Sequence, residues 1–199
     1  MKPAACPHRK SLRLPDFDYS TAGAYFVTNC VHHWICLLEP SPVRDMIRKW
    51  WEALPYKYPS VETGEFVVMP NHIHGIITLT ELDVRADLCV GPIDPNPPGG
   101  HAGPPLPVVS LPGILQWYKT MTTNEYIRGV KQLGWRPFSG KLWHRSYYEH
   151  IIRNEREFNA ISQYIHDNPV NWAHDHDNPS NRSTQSAEMN KDYLNDIGI

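Results

Sequence analysis

The chain has 199 residues, 41% of them hydrophobic, and a formal net charge of −2. That length fits one domain with extensions more easily than two full domains, and the apolar share is enough for a packed core, which excludes general disorder. No apolar run reaches the roughly 18 residues that a membrane-spanning helix needs, and the N-terminal MKPAACPHRK lacks the apolar stretch of a secretion signal. Cys6, Cys30, Cys36 and Cys89 form no CxxC pair, which argues against a zinc ribbon or a disulfide framework. The expectation is a soluble, cytoplasmic protein that does not associate with membranes.

In chain order, Ala24–Val31 (AYFVTNCV) alternates as a strand does. Ser41-Pro42 then opens a helix, with Ser41 as N-cap and Val43, Met46, Ile47, Trp50 and Leu54 as its core-facing stripe. Two strands follow, Val61–Met69 and His72–Thr80, joined by a turn at Pro70-Asn71. Residues 91–112 hold eight prolines and four glycines, a composition that admits no packed element, so positions 91–109 read as a loop insertion. A helix resumes at Ser110 with Leu111, Ile114, Leu115 and Tyr118 on one face and Lys119 beside them. A strand around Leu142–Ile152 comes next. The last helix starts at the cap-like pair Asn154 and Glu157 and is expected to end before Pro169. Residues 173–199 read as a polar, loosely packed tail. The order strand, helix, strand, strand, helix, strand matches a ferredoxin-like βαββαβ unit, an α+β fold with its first and third strands at the sheet centre, to which a C-terminal helix is added.

Charge is unevenly spread. Residues 109–154 carry seven basic side chains against Glu125 and Glu149. This is either a basic face for nucleic acid, with Lys119, Arg145 and Arg153 as candidate contacts, or an ordinary solvated surface. Trp143, Tyr147 and Tyr148, near His144 and Arg145, suit stacking on unpaired bases or, equally, packing against the sheet.

Two features carry chemistry. His72 and His74 stand two apart on a strand, so both imidazoles project from one face and can ligate one metal ion; two exposed histidines would read the same way. Tyr164 falls about a quarter-turn from the centre of the stripe formed by Phe158, Ile161 and Ile165. It is either a residue at the core edge or a nucleophile in a neighbouring cleft. Asn168, one turn later, either offers a carboxamide oxygen to that cleft or caps the helix end. With a divalent ion on His72 and His74 to polarise a phosphate, a tyrosine hydroxyl, weakly nucleophilic at an ordinary pKa of about 10, becomes a plausible attacking group. Phosphoryl chemistry favours Mg²⁺ or Mn²⁺ over Zn²⁺.

The strings DYSTAGAYFVTNC, VVMPNHIHGIITL, YKTMTT, WHRSYYEHIIRNE and YIHDNPVNW, in that order, resemble the REP-associated tyrosine transposases, single-tyrosine members of the HUH (His, hydrophobic, His) enzymes. The likeness spans roughly residues 9–172. It implies a transposase domain over 1–172 that cuts and rejoins single-stranded hairpin DNA through a covalent 5′-phosphotyrosine. In it Tyr164 is the nucleophile, His72 and His74 are metal ligands, and Asn168 is at the third-ligand position. It leaves a homodimer open. A binding protein of the same fold that holds DNA or RNA hairpins without cutting is the alternative.

Overall fold

The structure is a computed structural model that describes residues 17–81, 109–175 and 177–181; most of the 91–109 insertion and residues 182–199 lie outside them. Among the described residues four strands form one antiparallel sheet in the order β2-β3-β1-β4: β1 Gly23–Cys30, β2 Val61–Val68, β3 His72–Leu79 and β4 Tyr148–Ile152. Helices α1 (Ser41–Glu52) and α2 (Leu54–Lys57) follow β1, α3 (Leu111–Leu133) follows β3, and α4 (Glu155–Asn171) follows β4. The first and third strands are central, as the βαββαβ reading requires.

Side chains alternate across the sheet, so each strand serves two cores. One face of β1 and β3 (Tyr25, Val27, Ile73, Ile77) packs against Ile47 of α1 and Leu115 and Tyr118 of α3. The other face presents Phe26 and Ile76, joined by Ile152 of β4 and by Ile161 and Ile165 of α4. Register fixes which residues share this second face: Phe26 lies opposite Ile76, Thr28 opposite His74, and Cys30 opposite His72. The two histidines therefore project toward α4.

Four local expectations shift. Ser41 is the first residue of α1 and Pro40 its cap. Trp51, not Trp50, completes the buried stripe, because Trp51 lies over Gly75, where no side chain competes for space. Trp50 stays half-buried, and its indole N–H donates to Glu125 at 2.6 Å. The strand expected from Leu142 is regular only from Tyr148; the segment before it is irregular, held by a single bridge from Trp143 to Val31 and by His144 N–H donating to the Cys30 carbonyl at 2.8 Å. Helix α4 passes through Pro169 and ends at Asn171. Proline is costly inside a helix because it cannot donate and crowds the preceding turn, but here only the last turn remains, and the chain beyond it closes that end. The Trp172 carbonyl accepts from the Asp175 N–H at 3.2 Å and from Asn178 Nδ2 at 3.0 Å. Past α4, Trp172–His174 and Pro179–Asn181 form single 3₁₀ turns, and the Asp177 carbonyl between them accepts from Asn71 Nδ2 at 2.7 Å.

The start of α4 follows the sequence. Asn154 Oδ1 accepts from the Glu157 N–H at 2.9 Å, and Glu157 reaches back to the Arg153 N–H at 2.6 Å, a reciprocal cap. The other Glu157 oxygen meets His150 Nε2 of β4 at 2.6 Å, tying helix to sheet.

A Cβ on Gly75 would lie 2.5 Å from the Trp51 ring, which is itself stacked on Phe66. Gly75→Ala should therefore lower stability in urea unfolding by about 1–3 kcal/mol, as overpacking does. Gly113→Ala, inside α3 with only Ser110 Oγ at 3.4 Å, should instead be neutral or stabilising by up to about 1 kcal/mol. For Glu157, burial pushes the carboxyl's pKa up, but the Arg153 N–H and His150 outweigh it and hold the pKa below its ordinary value. A carboxyl depressed on folding adds stability above its unfolded pKa and loses it as pH falls through the folded one. Unfolding followed from pH 7 down to pH 2 should show Glu157→Gln less stable by about 1.5–3 kcal/mol at neutral pH, with the gap to wild type closing below about pH 4.

Candidate functional site

His72 and His74 are fully buried between the sheet and α4. Their Nε2 atoms face each other 3.0 Å apart, about the separation of adjacent donors on an ion bound at about 2.1 Å. Each Nδ1 is engaged from behind. Asn71 Oδ1 lies 2.8 Å from His72 Nδ1. The Asn71 amide nitrogen is spent on the carbonyls of Trp34 (3.0 Å) and Asp177 (2.7 Å), so the atom turned to His72 is the oxygen, which only accepts. His72 therefore carries its proton on Nδ1 and presents a lone pair on Nε2. His74 Nδ1 meets Thr28 Oγ1 at 2.7 Å. A hydroxyl serves either tautomer: it accepts from Nδ1–H when His74 Nε2 ligates, and donates when Nε2–H points at His72.

Tyr164 of α4 is half-buried against this pair. Its ring centroid lies 5.4 Å from that of His74 and 6.2 Å from that of Phe26. Asn168, one turn further, is buried, and its Oδ1 has no hydrogen-bond partner. An acceptor left in that state costs free energy unless a cation or donor meets it. Convergent Nε2 atoms with engaged Nδ1 atoms could hold a divalent ion, and the orphaned Asn168 oxygen lies on the helix that carries Tyr164. The structure thus brings His72, His74 and Tyr164 together, and Asn168 lies one helical turn beyond Tyr164 on α4. Among the described residues, however, no three His, Cys, Asp or Glu side chains already close on one point.

The basic candidates are divided. Lys119 is half-buried; its ammonium donates to the His144 carbonyl at 3.0 Å and reaches those of Arg145 and Ser146 at 3.4 Å, so it braces this loop. Arg145 is exposed and lines, with Lys119, Lys141 and His144, a groove of about 840 Å³ between α3 and the loop before β4. That groove excludes the histidine pair but adjoins its end of the sheet, since His144 is bonded to Cys30, the residue opposite His72. Arg153 lies at the other end, beyond Ile152, which pairs with Ala24. The proposed stacking aromatics also divide. Trp143 and Tyr147 are core residues, Trp143 with its indole N–H bonded to Thr122 Oγ1 at 2.8 Å, because the irregular backbone here turns both rings inward. Tyr148 alone is on the histidine face, 6.1 Å from Phe26.

Sequence reasoning missed three neighbours. Asn71 was legible only as a turn residue, although its place directly before the HxH was a signal. Thr28 needs the β1–β3 register. Asp175 sits in polar chain without periodicity, yet its Oδ2 is 3.9 Å from His72 Nε2.

No protein-family model matches the chain. A solved REP-associated tyrosine transposase, bound to a REP hairpin, has the same fold, with a TM-score of 0.51 over 81% of this chain and 73% of that one at 20% identity. A candidate transposase of Deinococcus radiodurans aligns at a TM-score of 0.44 and 17% identity over 78% of this chain and 95% of its own. An uncharacterised protein of Haemophilus influenzae is 32% identical over 185 residues, 86% of this chain and 94% of its own. The architecture is thus that of the REP-associated tyrosine transposases. By sequence, the chain belongs to the same family as the Haemophilus influenzae protein.

Asn71→Ala would strip partners from His72 Nδ1 and from two carbonyls. Stability should fall by at least about 1–3 kcal/mol, and ¹⁵N spectra should show His72 losing its single tautomer. Unchanged His72 ring shifts would contradict the orienting role.

Proposed function

We propose that the protein is a single-strand DNA nuclease and strand transferase of the transposase type, with Tyr164 as nucleophile. The observation that carries this reading is the placement of Tyr164 against His74 on the face where both Nε2 atoms converge. His72 and His74, with Asn168 as third donor, would hold Mg²⁺ or Mn²⁺. Bound there, the ion would neutralise charge on a phosphate and polarise it.

The chain's own residues then do the following. Asn71 and Thr28 keep the imidazoles aimed. Phe26 and the α4 stripe hold the Tyr164 ring. The Tyr164 oxygen attacks phosphorus and gives up its proton to solvent; the new P–O(Tyr) bond replaces the P–O3′ bond, and the 3′ oxygen leaves as a hydroxyl after protonation. The ester so formed keeps the free energy of the phosphodiester, so rejoining requires no nucleotide. That the structural neighbour is bound to a REP hairpin supports hairpin DNA as the substrate class. Exposed Arg145 and Lys141 in the groove beside the His72 end of the sheet suit backbone phosphates of the flanking strand. Among the described residues no helix is long and apolar enough to cross a membrane.

The test uses one labelled hairpin-bearing single strand and Mn²⁺ with wild type, Tyr164→Phe, Tyr148→Phe and the His72→Ala/His74→Ala double variant. Wild type and Tyr148→Phe should form a covalent protein–DNA adduct. Tyr164→Phe and the double variant should not, while still binding the strand through its phosphates. An adduct that survives in Tyr164→Phe transfers the nucleophile to another residue, with Tyr148 on the same face as the first candidate. Binding with no adduct from wild type would establish the non-cleaving hairpin-binding alternative.

A further inference from the structure

Helix α4 does not end the site. Beyond it the chain turns through Trp172–His174, and the Trp172 ring lies 6.1 Å from that of His72. Asp175 follows, its side chain 9% exposed and its Oδ2 3.9 Å from His72 Nε2. The position is built rather than incidental. Asp175 Oδ1 accepts from the Asp177 N–H at 2.6 Å. The Asp177 carbonyl accepts from Asn71 Nδ2 at 2.7 Å, and Asn71 Oδ1 meets His72 Nδ1 at 2.8 Å. Asn71 and Asp177 are both buried. A closed circuit of contacts thus runs from one side of the His72 ring to the other and leaves one carboxylate oxygen directed at the atom that would ligate.

We infer that Asp175 supplies a carboxylate ligand to the ion held by His72 and His74, an inference that rests on the metal-dependent reading above. Chemistry favours it. Two neutral imidazoles and an amide carry no charge, a donor set better suited to softer ions, whereas Mg²⁺ and Mn²⁺ prefer anionic oxygen. Two donors of one octahedral ion stand about 3 Å apart when adjacent and about 4 Å apart when opposite. The 3.0 Å of the histidine pair and the 3.9 Å from His72 to Asp175 fall in that range. The Asp177 N–H holds Oδ1 and leaves Oδ2 on the His72 side for an ion. Helix α4, which ends at Asn171 four residues before Asp175, carries Tyr164 and Asn168, so one continuous stretch of chain would supply nucleophile, amide and carboxylate.

The test is a Mn²⁺ titration of the full chain followed by electron paramagnetic resonance, with no DNA present. The proteins are wild type, Asp175→Asn, Asp175→Ala and the His72→Ala/His74→Ala double variant, with circular dichroism as the check on folding. Wild type should bind one Mn²⁺ that the double variant does not. Both Asp175 variants should remain folded and bind it on the order of 10–100-fold more weakly. Should the Ala variant fail to fold, the isosteric Asn variant decides. Affinity within twofold of wild type in folded Asp175→Asn overturns the Asp175 assignment and leaves the histidine site standing. Equal binding by wild type and the double variant, or no specific Mn²⁺ binding by wild type, overturns both.

Discussion

Two imidazole nitrogens held 3.0 Å apart in a fully buried position set a demand that the surrounding structure meets. Bringing two polar rings out of water is costly unless every ring nitrogen has a partner. The fold provides these through backbone pairing. Antiparallel register puts Thr28 across from His74, and the β2–β3 turn buries Asn71 beside His72 with its amide committed on both sides. Moving β1 by one residue against β3 would send Thr28 to the opposite face and leave His74 without its support. The constraint therefore reaches well beyond the site, into the sheet centre on which both cores depend.

Those two cores divide the labour. The larger one, between the sheet and α1 and α3, contains the aromatic packing of Trp51, Phe66 and Tyr118 and accounts for most of the apolar burial. The smaller one, under α4, is a patch of five buried apolar residues with Tyr148, Val67 and Tyr164 around it, and it passes directly into the polar cluster. Under the proposed function, an enzyme that admits a nucleic-acid strand would have reason to keep its reacting groups on the thinner side, with rigidity supplied through the sheet from the thicker one. The reciprocal cap at Asn154 and Glu157, and the His150 contact, anchor the start of α4; the Asn71–Asp177 contact anchors the chain past its end. Tyr164 lies between the two anchors.

The parts of this arrangement that were legible in the sequence are those governed by local periodicity. A period of two places His72 and His74 on one face whatever the tertiary structure, and a period of 3.6 places Tyr164 and Asn168 one turn apart beside an apolar stripe. The strand–helix order was enough for the sheet topology. What escaped were properties decided by contacts between distant segments. Nothing in a basic, aromatic-rich string distinguishes rings that pack from rings that wait for a base, so Trp143 and Tyr147 turned out to be core while Tyr148 alone faces the site. Pro169 predicts a helix end only if its neighbours gain nothing by continuing; here Asn178 and Asp175 close the helix on the far side of it. The carbonyl partners of Lys119 are likewise visible only in three dimensions.

The central claim is that one ion site, on the face of the sheet that carries Tyr164, is built around His72 and His74. Diffraction from crystals of the full chain grown with Mn²⁺, recorded where manganese scatters anomalously, tests it most directly. The account predicts an anomalous peak about 2 Å from both Nε2 atoms, on the α4 side of the sheet and facing the Tyr164 hydroxyl. Manganese bound elsewhere on the chain, with the two imidazoles still in contact with each other, would contradict it.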